Sequence, residues 1–341
     1  MIIDVNFSGK DDLSAKYFET SFLQDKFDKF KQTINDKSIG FFHVTDNDDL
    51  IKECQEILKI FKHKKTFIHL GIGGSSLGPE MLITALKKNN NKFIFINNID
   101  PDEIFTQLEN IDIEDSLFYF CSKSGATAET MAGLSIMTQL LSAQGIGQDQ
   151  LKNYFVFATD PSQSQLLQLG KELDINCLTI PSNIGGRFTV LTPVGFLPAI
   201  FADIKIDHLN KGANAAKKLI LNKEMNNNIL LQSASFLYAL KVEKDISQTV
   251  FMPYSSKLRN LSFWFVQLWA ESLGKKYNSR GQIIHTGLTP IPAYGATDQH
   301  SQVQLFMEGP YDKSILLLEI EKFDHDYLLN NPYSQDSLSK L

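Results

Sequence analysis

The sequence predicts an α/β protein built on parallel sheets, and three observations predict it. Five short apolar runs, at 66–70, 92–97, 116–121, 153–158 and 176–180, alternate with stretches of helical spacing. Isoleucine and aromatic residues fill these runs (KFIFIN, SLFYFC, NYFVFA), the composition of strands buried on both faces. The first run ends in a glycine-serine loop, GIGGSSLGP, that leads into a helical pattern. Strands alternating with helices imply right-handed crossovers and a sheet covered on both sides.

Bulk composition narrows the function classes. The 341 residues suit two domains better than one core. A formal net charge of -6 argues against general nucleic-acid binding, so an anionic ligand would need local N–H groups and a few cations. Cys54, Cys121 and Cys177 form no C-x-x-C pair, a pattern of a reducing compartment with neither a disulfide framework nor a zinc site. The N-terminus turns polar too early for a signal peptide, and no run approaches the roughly 20 apolar residues that span a bilayer. The expectation is a cytoplasmic protein with no membrane segment, no metal and no nucleic-acid partner.

In chain order, residues 1–50 show no strong period and read as short helices and loops dressing a larger body. Leu50, Ile51, Cys54, Ile57, Leu58 and Phe61 recur at three and four, which predicts an amphipathic helix over 48–63. The five apolar runs follow. In a flavodoxin-like strand order the first and third are neighbours, and the loops after them face one pocket.

In the loop after the first run, Gly71, Gly73 and Gly74 let the backbone approach a ligand. Pro79 suits a first helical turn. Read alone, this loop is either an anion site or a tight turn. The loop after the third run, SKSGATAET, offers hydroxyls from Ser122, Ser124, Thr127 and Thr130 and a charge from Lys123. By itself it is an ordinary capped helix start. Two such loops on adjoining strands point instead to the phosphate of a small molecule. After the fifth run, Gly185 and Gly186 precede Arg187, which suits oxyanion or phosphate contact, and an apolar helix runs on into Phe201.

Near Asp207 the composition turns polar. Helices are predicted over 213–221 and 229–242, a strand over 248–256, a helix in RNLSFWFVQLWAESLGKK, and a strand over 314–319. This is a second α/β unit, less complete than the first. His69 reads as a satisfied core residue, and Trp264, Phe265 and Trp269 as core or subunit contact.

The motifs GIGGSSLGP, SKSGATAET, GGRFTVLTPVGFLP, WAESLGK and DQHSQVQL occur in the order and spacing of one family. From about residue 66 to 313 the chain resembles the glucose-6-phosphate isomerases in their shorter bacterial form. The resemblance implies two sugar-isomerase domains, each a parallel sheet flanked by helices, with an N-terminal extension at 1–50, a first domain at 51–206 and a truncated second domain at 207–341. It implies a homodimer with active sites at the interface, a hexose 6-phosphate as substrate, and no cofactor.

Carried over by position, Ser122, Lys123, Ser124 and Thr127 resemble the phosphate cradle, and Gly74 and Ser75 resemble the residues that contact the sugar phosphate from the other side. Arg187 is similar to the arginine that steadies a cis-enediolate. Glu271 is similar to the glutamate that shuttles the proton, and His300 to the histidine of ring opening or a second acid/base role. Two features depart from the family pattern. Residues 292–295 read PAYG where longer members have a carboxylate, and the C-terminal signature with its lysine has no counterpart. Two other readings stay open: a sugar-phosphate-binding regulator without catalysis, and an isomerase that also takes mannose 6-phosphate. The first would need the hydroxyls but not Arg187, Glu271 and His300.

Overall fold

A computed structural model describes residues 5–46, 48–162 and 164–328. Its N-terminal part, expected to hold short helices and loops, contains one helix of 16 residues. Helix α1 (Thr20–Asn35) buries Leu23, Phe27 and Ile34, whose spacings of four and seven form one apolar stripe. Helix α2 (Asp49–Ile60) falls within the predicted 48–63 and buries Ile51 and Cys54.

All five predicted runs are strands, with ends shifted by no more than two residues: β1 (Thr66–Leu70), β2 (Lys92–Ile96), β3 (Ser116–Cys121), β4 (Phe155–Thr159) and β5 (Asn176–Thr179). They form one parallel sheet in the order β2-β1-β3-β4-β5. The register sets Leu70 opposite Phe120, so the chain leaves β1 and β3 side by side at one edge. Helices α3 (Leu77–Leu86), α4 (Pro101–Leu108), α5 (Ala128–Ala143) and α6 (Gln165–Glu172) link successive strands, and α7 (Pro193–Phe201) follows β5.

Alternate side chains of each strand divide the core in two. Phe67, Leu117, Tyr119, Val156 and Leu178 meet α2, α3 and α7 on one face. Ile68, Phe118, Phe120, Phe155 and Phe157 meet α4, α5 and α6 on the other. Burying each phenylalanine is worth about 2–3 kcal/mol, which explains why this sheet is so rich in them. Tyr119 is fully buried, and its hydroxyl donates to the Pro193 carbonyl at 2.8 Å, so no polar atom is stranded there.

The second half begins with α8 (Ile206–Ile220), which starts earlier than predicted, and α9 (Ile229–Lys244). Helix α9 covers the N-terminal part: Ala239 packs with Leu13 and Tyr17, and Met225, just before α9, with Leu23 and Phe27. Strand β6 (Gln248–Pro253), helix α10 (Arg259–Leu273), the pair β7 (Lys275–Tyr277) and β8 (Ile283–Thr286), strand β9 (Thr289–Pro292), helices α11 (Thr297–Ser301) and α12 (Val303–Glu308), and strand β10 (Lys313–Leu318) complete it. The second sheet is parallel, in the order β10-β6-β9. Strand β9 was not predicted because Pro290 and Pro292 cannot donate to a ladder; it forms at the edge of the sheet, where proline is tolerated. Among the described residues no helix is long and apolar enough to cross a membrane. The part of the expected second domain beyond residue 328 lies outside the described residues.

Phe157→Ala is expected to cost roughly 3–5 kcal/mol, because it opens a cavity in a closed core, while Ile315→Ala, at an exposed position, costs about 0.5 kcal/mol or less. Urea unfolding followed by circular dichroism measures both; equal costs would mean that the two sheets are not ordered as described.

Candidate active site

The site is built where β1, β3 and the segment after β5 end together. In the loop after β1, Gly73 has φ 56°, a left-handed conformation that glycine takes without strain. Gly74 has a harder constraint. A Cβ there would lie 2.2 Å from the Gly186 carbonyl oxygen and 2.8 Å from the Arg187 nitrogen. The Thr189 hydroxyl joins the two segments, 3.0 Å from the Gly74 oxygen and 2.9 Å from the Gly186 oxygen.

His69 holds the same loop from beneath. It is fully buried among Phe67, Phe95 and Tyr119, and its Nε2 lies 2.6 Å from the Ser75 carbonyl. A carbonyl only accepts, so Nε2 carries the proton and the ring is neutral. Nδ1 has no partner among the described residues, so the expected satisfied core histidine is satisfied on one side only. Burial holds its pKa down to about 4.

After β3, three hydroxyls converge. Ser122 Oγ lies 2.8 Å from Thr127 Oγ1, Ser124 Oγ lies 3.3 Å from Thr127 Oγ1, and the two serine oxygens are 3.4 Å apart. Thr127 is the N-cap of the 16-residue α5, and its side chain does not bond the helix backbone, so the first-turn N–H groups are left without a side-chain cap. A helix N-terminus ringed by hydroxyls suits an anion. The Lys123 ammonium takes another direction: it donates to the carbonyls of Ser182 and Ile184 at 2.8 and 2.7 Å.

Arg187 reaches out of the first half to α10 of the second. Its Nε donates to Ser272 Oγ at 2.9 Å, and Nη1 lies 3.5 Å from Glu271 Oε2. The guanidinium also sits over the Phe188 ring, 4.4 Å from its centroid, and Phe41 stacks on that ring at 4.0 Å. Gln267, one turn before Glu271, donates to its Oε1 at 2.9 Å and borders Gly73. Helix α10 is held against α3 by Asn260, which donates to Glu80 Oε1 at 3.2 Å and to Thr84 Oγ1 at 2.9 Å. Burial pushes the Glu80 pKa up, against the two amide donors that stabilise its charge.

Gly74 and Ser75, the hydroxyl triad, Arg187 and Glu271 thus share one edge of the first sheet. His300 does not join them: it is exposed on α11 with no hydrogen-bond, ion-pair or ring partner among the described residues. Sequence reasoning missed Gln267, Ser272 and Phe41. The i,i+4 spacing of Gln267 and Glu271 was a usable signal for the first; nothing in the sequence marks Phe41. Among the described residues no group of three or more His, Cys, Asp or Glu side chains is placed to hold a metal ion.

A five-stranded parallel sheet flanked by helices, with loops gathered at its β1–β3 switch point and an arginine and a carboxylate meeting beside them, defines an α/β protein of the sugar-isomerase type. Residues 49–335 match the family phosphoglucose isomerase, and the chain belongs to that family. It is 36% identical over 313 residues to glucose-6-phosphate isomerase of Carboxydothermus hydrogenoformans, a match covering 87% of this chain and 66% of that protein. The chain therefore spans about two thirds of the length of that relative. Among solved structures, a hypothetical protein of Thermus thermophilus superposes with a TM-score of 0.84 at 32% identity, covering 94% of this chain and 78% of that one. A glucose-6-phosphate isomerase of Chlamydia trachomatis gives 0.77 at 25% identity, covering 86% and 56%.

The buried neutral His69 has a measurable consequence. Its pKa is about 4 folded against 6.5 unfolded, so as pH falls below 6.5 the unfolded chain takes up a proton that the folded chain refuses. Stability from this residue is complete above pH 6.5, declines as pH falls, and has dropped by about 3 kcal/mol near pH 4. Urea unfolding at stepped pH should show this loss in the wild type and a flatter profile in His69→Phe. The same slope in both proteins would exclude His69 as its source.

Proposed function

We propose that the chain interconverts glucose 6-phosphate and fructose 6-phosphate, moving a proton between carbons 1 and 2 through a cis-enediolate. One observation carries this reading: Arg187 from the first half meets Glu271 and Ser272 from the second, beside the glycine loop of β1. On this reading Ser122, Ser124 and Thr127 hold the phosphate at the α5 N-terminus, with Gly74, Ser75 and the backbone of Lys123 around it. Glu271 is the base. A carboxylate within reach of both carbons can take and return one proton. Arg187, fixed by Ser272 and the Phe188 ring, supplies preorganised charge to the enediolate oxygen.

His300 is the second acid/base group. Its exposure supports a site completed across a homodimer interface, and so do the exposed apolar side chains of Phe263, Tyr277, Ile283 and Ile284. The division into an extension at 1–50 and domains at 51–206 and 207–341 goes with this reading, and the three free thiols suit a cytoplasmic setting. Coupled spectrophotometric assays with glucose, fructose and mannose 6-phosphates test it. Turnover of the first pair is expected; binding without turnover of any would favour a regulator instead.

Ser124→Ala and Thr127→Ala should each weaken binding of fructose 6-phosphate by roughly 1–3 kcal/mol, because each leaves an anionic oxygen short of a donor. Unchanged calorimetric affinity in both would move the phosphate elsewhere. Glu271→Gln should abolish exchange of the carbon-2 deuteron with solvent while leaving phosphate affinity close to wild type. Exchange at the wild-type rate would assign the base to another residue.

A further inference from the structure

We propose that Lys123 is a positioning residue for Arg187 and that its ammonium is not a phosphate ligand; the proposal rests on the isomerase reading of the site. The ammonium donates to the Ser182 and Ile184 carbonyls, and Ile184 immediately precedes Gly185, Gly186 and Arg187. The same corner is closed by two further bonds. The Ser182 hydroxyl donates to Asp160 Oδ1 at 2.9 Å, and the Asp160 N–H donates to the Lys123 carbonyl at 3.2 Å.

A double glycine is conformationally permissive, so the course of the turn that carries Arg187 comes from what brackets it, while Ser272 and the Phe188 ring hold the guanidinium at the far end. Downstream the bracket is Thr189 against Gly74 and Gly186. Upstream it is Lys123, whose long stem spans from the hydroxyl cradle to the turn. Two charge-assisted bonds to carbonyls two residues apart hold that turn in one orientation. Residue 123 therefore couples the loop that would hold the phosphate to the arginine that would face the enediolate. The phosphate charge is met by hydroxyls and helix N–H groups, and the lysine charge by backbone oxygens.

The test compares two probes on the 341-residue chain by calorimetry. Inorganic phosphate reads the hydroxyl cradle alone. A five-carbon aldonate 5-phosphate, whose carboxylate mimics the enediolate, reads Arg187 as well. Lys123→Met keeps the apolar stem and removes the donors. It should leave the phosphate affinity within about twofold and weaken the aldonate phosphate about 10- to 100-fold, the scale of losing a hydrogen bond between charged groups when Arg187 is displaced. Lys123→Arg, which again offers two N–H groups, should restore most of the loss. Equal weakening of both probes would make the ammonium part of the cradle, and no weakening of either would leave the tether without function; both overturn the proposal. If the wild type binds the aldonate phosphate no better than phosphate, the Arg187 reading itself fails, and this assignment with it. Should Lys123→Met not fold, as judged by circular dichroism, Lys123→Gln carries the same comparison.

Discussion

No side chain fits between Gly74 and Gly186, and the geometry of the site depends on that exclusion. Because the two backbones touch, the loop that leaves β1 and the turn that carries Arg187 move as one piece. A methyl group at residue 74 would drive them apart by more than any neighbouring rotamer could absorb, since the opposing atoms are backbone. The second half is then aligned to this piece through a few polar contacts: Asn260 on Glu80 and Thr84, and Ser272 and Glu271 on Arg187. Chemistry that needs groups from both halves is thus referred to one backbone contact within the first.

The charges are distributed in a way that suits exchange. The Arg187–Glu271 pair is partly exposed, at 26% and 48% of the side chains, so it contributes little to stability and yields readily to a ligand that competes for either partner. The hydroxyl triad and helix N-terminus present donors without a full positive charge, which fits a chain that is acidic overall.

The first sheet was legible in the sequence because strands buried on both faces are almost continuous apolar runs of strand length, and five of them alternate with helical spacing. The two loops were legible because glycine and hydroxyl residues cluster there, and family motifs supplied Arg187 and Glu271. What stayed hidden depends on partners distant in sequence. The stripe of Leu23, Phe27 and Ile34 is sparse, so the sequence shows short helices and loops there but not one continuous 16-residue helix. Strand β9 hides behind its prolines. The presence of Lys123 was visible, but the direction of its ammonium is set by carbonyls some sixty residues later. His300 was grouped with Arg187 and Glu271 by motif, and within one chain the fold leaves it exposed on α11 without contact to either.

The seating of α1 imposes an order in time. Leu23 and Phe27 are buried by Met225 and Leu231, and Leu13 and Tyr17 by Ala239, so the surface that receives the start of the chain is made about 200 residues later. At ribosomal speeds of roughly 5–20 residues per second, the first helix waits on the order of 10–40 s with its apolar stripe in water. Over the same interval the five strands of the first sheet emerge and can close without it, since their two core faces draw on α2 to α7. Residues 13–27 therefore dock later than the sheet that follows them in the chain, after their partners on α9 and the turn before it have been made.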